Sequence, residues 1–252
     1  MNESKTKKIL RRLLKSDDLR VILKTIFYFI FSKTKYRALK TYRFSDEELK
    51  YTHILEAVNY ARVAGLPSVY FEFGCHSART FSAAARSAAL LEMNDAEFYA
   101  FDSFEGLPET SKEEDGIFAT GEFNTSIELF KKIVSKKGGL HVKDEHIITG
   151  FYENSLTSEL QSRLPHVGIV HIDVDLYSST IEVLNFLKPL LVEGSIILFD
   201  DWYCFPPSMD MGEKKALNEF CNENKEFEFE SWKSYSTFGK SFFVTKVPSD
   251  SS

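Results

Sequence analysis

Two apolar runs that each break off into carboxylates constrain this chain more than any other feature. His171-Ile172-Asp173-Val174-Asp175-Leu176-Tyr177 is the first, and Ile196-Ile197-Leu198-Phe199-Asp200-Asp201-Trp202 is the second. Runs of this kind read as strands buried on both faces of a parallel sheet, and open α/β sheets bind ligands just beyond the carboxyl ends of their strands. Two such strands side by side deliver Asp173, Asp175, Asp200 and Asp201 to one crevice. Crowded carboxylates repel one another and resist desolvation unless a cation, a proton or a positively charged ligand offsets them. A hard divalent metal is the first candidate.

A chain of 252 residues can bury one sizeable core. The expected organisation is a basic, partly apolar helical extension over 1–44 and one α/β domain over 45–252. The net charge of −6 conceals an asymmetry: residues 1–43 hold thirteen Lys or Arg against three Asp or Glu, so +10 there leaves −16 on the remainder. A basic arm on an acidic body suits an anionic surface or the acidic face of another subunit. Within the arm, Val21 to Phe31 is almost wholly apolar, yet too short to span a bilayer and not followed by a small-residue cleavage site. A helix packed on the catalytic domain or on a partner subunit, and an interfacial helix giving peripheral membrane contact, both stay open. Cys75, Cys204 and Cys221 show no CxxC spacing and are odd in number, which argues against a disulfide framework or a zinc site and makes a reducing, cytoplasmic setting the default expectation. No nucleic-acid partner is expected, and a homo-oligomer is left open.

Ser45-Asp46-Glu47-Glu48 reads as a capping box opening a helix over about 46–64, stopped by Gly65 and Pro67. Strands are expected at 69–73, 97–101, 145–149, 166–172 and 195–199, with helices at 78–93, 126–136 and 179–191 between them. Residues 103–125 read as a long acidic loop with four turn formers, Gly106, Pro108, Gly116 and Gly121. After Pro206-Pro207, a helix at 212–223 leads into alternating segments at 227–231 and 241–247, an antiparallel edge pair.

Glu72-Phe73-Gly74-Cys75-His76-Ser77 lies where the first strand turns into the first helix. A glycine there lets a ligand approach the backbone, and the free amides of the helix start suit an anionic group. The G-x-G-x-x-G of dinucleotide enzymes is absent. Glu72 would repel a pyrophosphate but suits the ammonium and sulfonium of S-adenosylmethionine. Asp102, ending the second strand, stands where an acidic side chain accepts from ribose hydroxyls, or caps the turn into Ser103.

Phe71-Glu72-Phe73-Gly74, Asp102-Ser103-Phe104-Glu105-Gly106-Leu107-Pro108, Gly150-Phe151-Tyr152, Asp173-Val174-Asp175-Leu176-Tyr177-Ser178-Ser179-Thr180 and Asp200-Asp201-Trp202 stand in the order of the macrocin-type O-methyltransferases. The chain resembles that family over about residues 68–205. The resemblance implies a class I methyltransferase (Rossmann-like) fold, a seven-stranded, mostly parallel sheet with helices on both faces. It also implies S-adenosylmethionine as cofactor, and methyl transfer to a hydroxyl of a sugar or similar small-molecule or glycan acceptor with Mg²⁺ or another divalent cation. Expected cofactor contacts are Glu72, Gly74, Ser77 and Thr80 on the first turn and helix, Asp102 and Ser103 after the second strand, and Gly150 and Phe151 after the third. Ala78 and Arg79 stand where the family usually carries a glycine pair, and nothing after about Pro206 matches.

By the same resemblance Asp173, Asp200 and Asp201 are the metal ligands, a set that agrees with the preference of Mg²⁺ for oxygen. Asp173 and Asp175 are the expected catalytic residues, Asp175 as the proton acceptor or, alternatively, as a cap for the next helix. His171 reads as a hydrogen-bonded core histidine, and His76 as a polar neighbour of the helix start or a ligand contact. Two rival functions remain: a metal-dependent glycosyltransferase using Asp173-x-Asp175 to hold a sugar-nucleotide diphosphate, and a non-catalytic methyltransferase-like scaffold.

Overall fold

A computed structural model of the chain describes residues 33–108, 121, 123–206 and 210–248, with side chains from residue 46 onward. The apolar run Val21 to Phe31 and most of the acidic loop, Gly116 included, lie outside the described residues. Among the described residues no helix is long and apolar enough to cross a membrane. The chain divides into two compact units, residues 1–47 and 48–252; the sheet and the site described below belong to the second.

In chain order the elements are α1 (Lys33–Ala64), β1 (Val69–Phe73), α2 (Arg79–Leu90), β2 (Glu97–Asp102), α3 (Ile127–Ile133), β3 (Ile147–Thr149), α4 (Tyr152–Ser155), α5 (Ser158–Gln161), β4 (Val167–Ile172), α6 (Tyr177–Leu187), β5 (Leu191–Phe199), α7 (Gly212–Glu223), β6 (Glu228–Tyr235) and β7 (Gly239–Lys246). They build one seven-stranded sheet in the order β3-β2-β1-β4-β5-β7-β6. The first five of these strands pair in parallel, and β7 and β6 close the far edge antiparallel. The expected mostly parallel α/β sheet with an antiparallel edge pair is what forms.

Strand polarity and burial follow from side-chain alternation. Phe71, Phe73, Phe101, Val170, Ile172, Ile197 and Phe199 turn to one face, where Leu184, Leu187, Leu217 and Phe220 of α6 and α7 cover them. Tyr70, Ala100, Ile169, Ile196 and Leu198 turn to the other, beneath Ile54, Ala57, Val58 and Ala61 of α1 and the alanine-rich α2. Each fully buried Phe or Leu contributes roughly 1.5–3 kcal/mol. β4, the central strand, is buried at all six positions, and chain order reverses on either side of the β1–β4 pair. Such a switch point leaves a crevice at the carboxyl edge.

Several boundaries depart from expectation. The backbone of α1 runs helical from Lys33 straight through Ser45, so the capping box does not open a helix; the Lys, Arg, Ala and Leu residues preceding it are good helix formers. β3 is confined to Ile147–Thr149 because Asp144–His146 coils into a 3₁₀ turn. α3 ends in a π-helical turn, Val134–Gly138. β5 starts four residues earlier than expected and β6 runs on to Tyr235.

Candidate active site

The turn after β1 is shaped by its neighbour β4. Gly74 has a φ of +82°, and a Cβ there would lie 1.8 Å from the carbonyl oxygen of Asp173. The glycine makes room first for β4, whose Asp173 amide donates to the Phe73 carbonyl at 2.9 Å. His76 (φ 28°) and Ala78 (φ 54°) also adopt left-handed backbone, strain that clusters where ligands bind.

Asp102 locks this turn to the end of β2. Its Oδ2 accepts from the amides of Cys75 at 2.6 Å and His76 at 3.0 Å, and its Oδ1 from the amide of Phe104 at 2.7 Å. Ser103 Oγ donates to the Gly106 carbonyl at 2.8 Å and accepts from the Glu105 amide at 3.0 Å, folding the Asp-Ser-Phe-Glu-Gly run into a tight turn. A carboxylate oxygen accepts more than one hydrogen bond, so Asp102 both builds the turn and keeps capacity for a ligand hydroxyl.

Above these turns opens a cavity of about 760 Å³. Gly74, His76, Asp102, Ser103, Gly150, Phe151 and Asp173 line it, with Tyr152 and Glu153 of α4, Tyr177 and Glu182 of α6, Asp175, and Phe123 from the long loop. Of the expected cofactor residues, Gly74, Asp102, Ser103, Gly150 and Phe151 thus face one space. Five carboxylates line it, and among the described residues no Lys or Arg does. Tyr177 is braced from behind: its hydroxyl donates to Glu219, and the Lys215 ammonium sits 4.5 Å from its ring centre.

Glu72, Thr80 and Ser77, also expected to contact the cofactor, are not among the residues that line this cavity. Glu72 is fully buried and aligns in register with His171 on β4, so its side chain turns beneath the sheet's edge toward α2. There its carboxylate accepts from the hydroxyls of Tyr70 and, at 2.9 Å, Thr80, and lies 3.5 Å from His171 Nδ1. His171 Nε2 in turn lies 3.6 Å from Asp200 Oδ1, a charge contact rather than a hydrogen bond. Burial opposes a charge on this imidazole, but the Asp200 and Glu72 carboxylates on either side outweigh it and raise its pKa to about 10. His171 is the hydrogen-bonded core histidine expected, with its Nδ1 3.3 Å from the Tyr70 hydroxyl, and the flanking carboxylates favour its protonated form. Cys75 is buried, and desolvation holds its thiol well above the usual range.

Asp200 and Asp201 part company. Asp200 shares the face of His171, and its Oδ2 pairs with the ammonium of Lys50 from α1. Burial pushes its carboxyl upward, yet His171 and Lys50 prevail and bring it down to about 2. Asp201 turns the other way, and its ligand oxygen lies within 4.8 Å of those of Asp173 and Asp175. The converging trio is thus Asp173, Asp175 and Asp201, whereas the expected ligand set has Asp200 in place of Asp175. Burial, then the neighbouring carboxylates, raise Asp173 and Asp201 well above the ordinary range. Oδ2 of Asp201 is buried without a hydrogen-bond partner. Three half-buried oxygen donors with an orphaned lone pair fit a hard divalent cation. Asp175 holds left-handed backbone (φ 61°), which Asp tolerates.

Two residues at the site carried no sequence signal. Lys50 belongs to no motif. Glu213, in the first turn of α7, is 1% exposed and accepts from the Asp201 amide at 2.9 Å, while its Oε1 is buried and unpartnered. Burial and then Asp201 raise its carboxyl well above the usual range.

A sheet of this order, with a ligand-sized cavity over the β1 and β4 ends, defines a class I methyltransferase. The chain belongs to the macrocin-O-methyltransferase (TylF) family, which matches residues 50–226. It is an O-methyltransferase dependent on S-adenosylmethionine. Among solved structures it is similar to the O-methyltransferase NovP, with a TM-score of 0.64 and 18% identity over 79% of this chain and 80% of that one. It is also similar to the calicheamicin methyltransferase CalS11, with a TM-score of 0.55 and 18% identity over 96% of this chain and 94% of that one. No match was found among curated protein sequences.

Proposed function

We propose that the chain methylates a hydroxyl of a sugar or similarly polyhydroxylated small molecule, with a divalent cation held by Asp173, Asp175 and Asp201. The observation that carries this is the adjacency of two things at one crevice: a cavity walled by carboxylates and a trio of convergent acidic oxygens. S-adenosylmethionine supplies an electrophilic methyl group and carries positive charge on its ammonium and sulfonium, which the acidic walls favour. Asp102, Ser103, Gly150 and Phe151 would hold its nucleoside end and Gly74 and Asp173 border its reactive end.

A divalent cation would lower the acceptor hydroxyl's pKa and orient it. Among the chain's own groups, Asp175 is placed to take the hydroxyl proton, since it borders the cavity and belongs to the acidic trio. The walls formed by Phe151, Tyr152 and Tyr177 exclude water from the transfer. The similar protein CalS11 is a TDP-rhamnose 3′-O-methyltransferase, which supports a sugar as the acceptor class.

The glycosyltransferase alternative loses ground because a diphosphate would meet five carboxylates and, among the described lining residues, no Lys or Arg. Calorimetric titration of chelator-treated protein with S-adenosylmethionine and, separately, a uridine diphosphosugar, with and without Mg²⁺, tests the reading. Micromolar binding of the first alone is expected; metal-dependent binding of the second alone would mean that the aspartates serve a diphosphate.

A further inference from the structure

We propose that a second cavity, walled by Trp202, Tyr203, Phe205, Lys214 and Lys240, is a subsite that recognises the acceptor by an anionic group carried beside a flat ring. The inference rests on the methyl-transfer reading above and adds to it the chemistry of the acceptor's far end.

The cavity measures about 220 Å³ and lies among the loop after β5, the start of α7 and the start of β7. Pockets that enclose a whole small ligand run to about 300–1,000 Å³, so this one suits part of a ligand. Its aromatic wall is held in place. The Tyr203 amide donates to the Phe238 carbonyl at 3.0 Å, and the Tyr203 hydroxyl shares a hydrogen bond with Ser234 Oγ at 3.1 Å, which ties the loop to the β6–β7 hairpin. Trp202 and Phe205 are buried. Gly212 opens α7 at a φ of +57°, and a Cβ there would lie 2.8 Å from the Phe205 ring, so the missing side chain lets the helix start close onto that ring.

Positive charge gathers at this wall. The Lys240 ammonium lies over the faces of Trp202 and Phe242, 5.3 and 4.9 Å from their ring centres, and among the described residues no carboxylate pairs with it. Lys214, in the first turn of α7, adds a second cation. Met211 supplies no side-chain cap to that turn, and a helix start favours negative charge. The aromatic faces offer a stacking surface to a flat ring. The cofactor cavity has the opposite sign, with five carboxylates and, among the described lining residues, no Lys or Arg. Asp201 stands between the two: Trp202 is the next residue, and Lys214 follows Glu213, whose carboxyl accepts from the Asp201 amide at 2.9 Å. An acceptor with its anionic end on the lysines turns its hydroxyls toward the acidic trio, and the carboxylate walls repel the reversed orientation.

The test is ligand-observed NMR on the full-length protein without added metal, using uridine 5′-diphosphate and benzoate beside their neutral counterparts uridine and benzamide. At least one anion should bind with about millimolar affinity, well short of the micromolar range, and its neutral counterpart about fivefold more weakly or worse. Binding of the diphosphate alone assigns a phosphate-linked acceptor, binding of benzoate alone a carboxylate-bearing one, and binding of both supports the shared chemistry. Lys240→Met should weaken the anion about fivefold, with Lys240→Arg within about twofold of wild-type, and saturating S-adenosylhomocysteine should not displace it. Lys214→Met provides the same comparison if Lys240→Met does not fold. Failure of both anions to bind, equal binding of the neutral counterpart, an unchanged affinity in the lysine variant or displacement by S-adenosylhomocysteine overturns the proposal. Asp173→Asn should leave anion binding unaltered, so failure of the cation reading leaves this subsite standing. Intact anion binding in a protein that methylates no sugar hydroxyl would refute the sugar acceptor alone.

Discussion

The carboxyl of Glu213 accepts a hydrogen bond from the backbone amide of Asp201 at 2.9 Å, so the first turn of α7 fixes the loop that carries an acidic side chain into the crevice. Burial and then Asp201 raise the pKa of Glu213 well above the usual carboxylate range, which favours the neutral acid, a form that an amide imitates well. Glu213→Gln should change stability by less than about 1 kcal/mol, whereas Glu213→Ala, which strands the Asp201 amide, should cost about 1–3 kcal/mol. Denaturant unfolding of both variants measures the difference.

Gly74→Ala should be among the most damaging single changes. A methyl group 1.8 Å from the Asp173 carbonyl oxygen forces β1 and β4 apart at the site and adds strain at a positive φ. A loss of about 3 kcal/mol or more, with S-adenosylmethionine binding abolished, is expected from thermal unfolding and calorimetry.

Asp102 serves the turn and the ligand together, and its two variants separate those duties. Asp102→Ala removes the acceptor of three backbone amides and should cost about 2–4 kcal/mol together with cofactor affinity. Asp102→Asn keeps one amide-accepting oxygen and should retain the fold while weakening cofactor binding, read by calorimetry.

If Asp175 takes the acceptor's proton, Asp175→Asn should lower kcat by about 10²–10⁴-fold with S-adenosylmethionine affinity nearly unchanged. Single-turnover methyl transfer with labelled cofactor separates the two quantities. Full activity in this variant would assign the proton elsewhere.

Stability should fall as the medium becomes alkaline. His171 holds its proton up to about pH 10 in the fold, against about 6.5 in the unfolded chain. Between those values the native state carries one more proton than the unfolded state. Its contribution is complete below pH 6.5 and lost as pH rises through 10, with a slope of up to about 1.4 kcal/mol per pH unit. Unfolding free energies from pH 6 to 10.5 should show this decline, and His171→Gln should flatten it.

Much of the frame could be read from pattern alone. Apolar runs ending in Asp located β4 and β5 and the edge where ligands gather, because buried parallel strands leave a continuous apolar trace. The Asp-Ser-Phe-Glu-Gly run placed Asp102 at a turn. What pattern did not reveal was which way neighbouring carboxylates face. Asp200 and Asp201 differ by their partners Lys50 and Glu213, which lie 150 and 12 positions away in the chain and belong to no motif. The enclosure of Glu72 was hidden for a similar reason: Tyr70, Thr80 and His171 close around it, and His171 arrives only through the register of β1 with β4. At Ser45, a strong local cap signal yielded to helix formers upstream.

The acidic lining of the cavity bears on turnover as well as on binding. Methyl donation converts a sulfonium into a neutral thioether, so the spent cofactor leaves a wall of carboxylates that no longer attracts it through that charge. At low ionic strength the walls should favour fresh cofactor over spent cofactor, and added salt should narrow that preference. A cavity of this sign limits product inhibition by Coulomb's law alone, without any moving part.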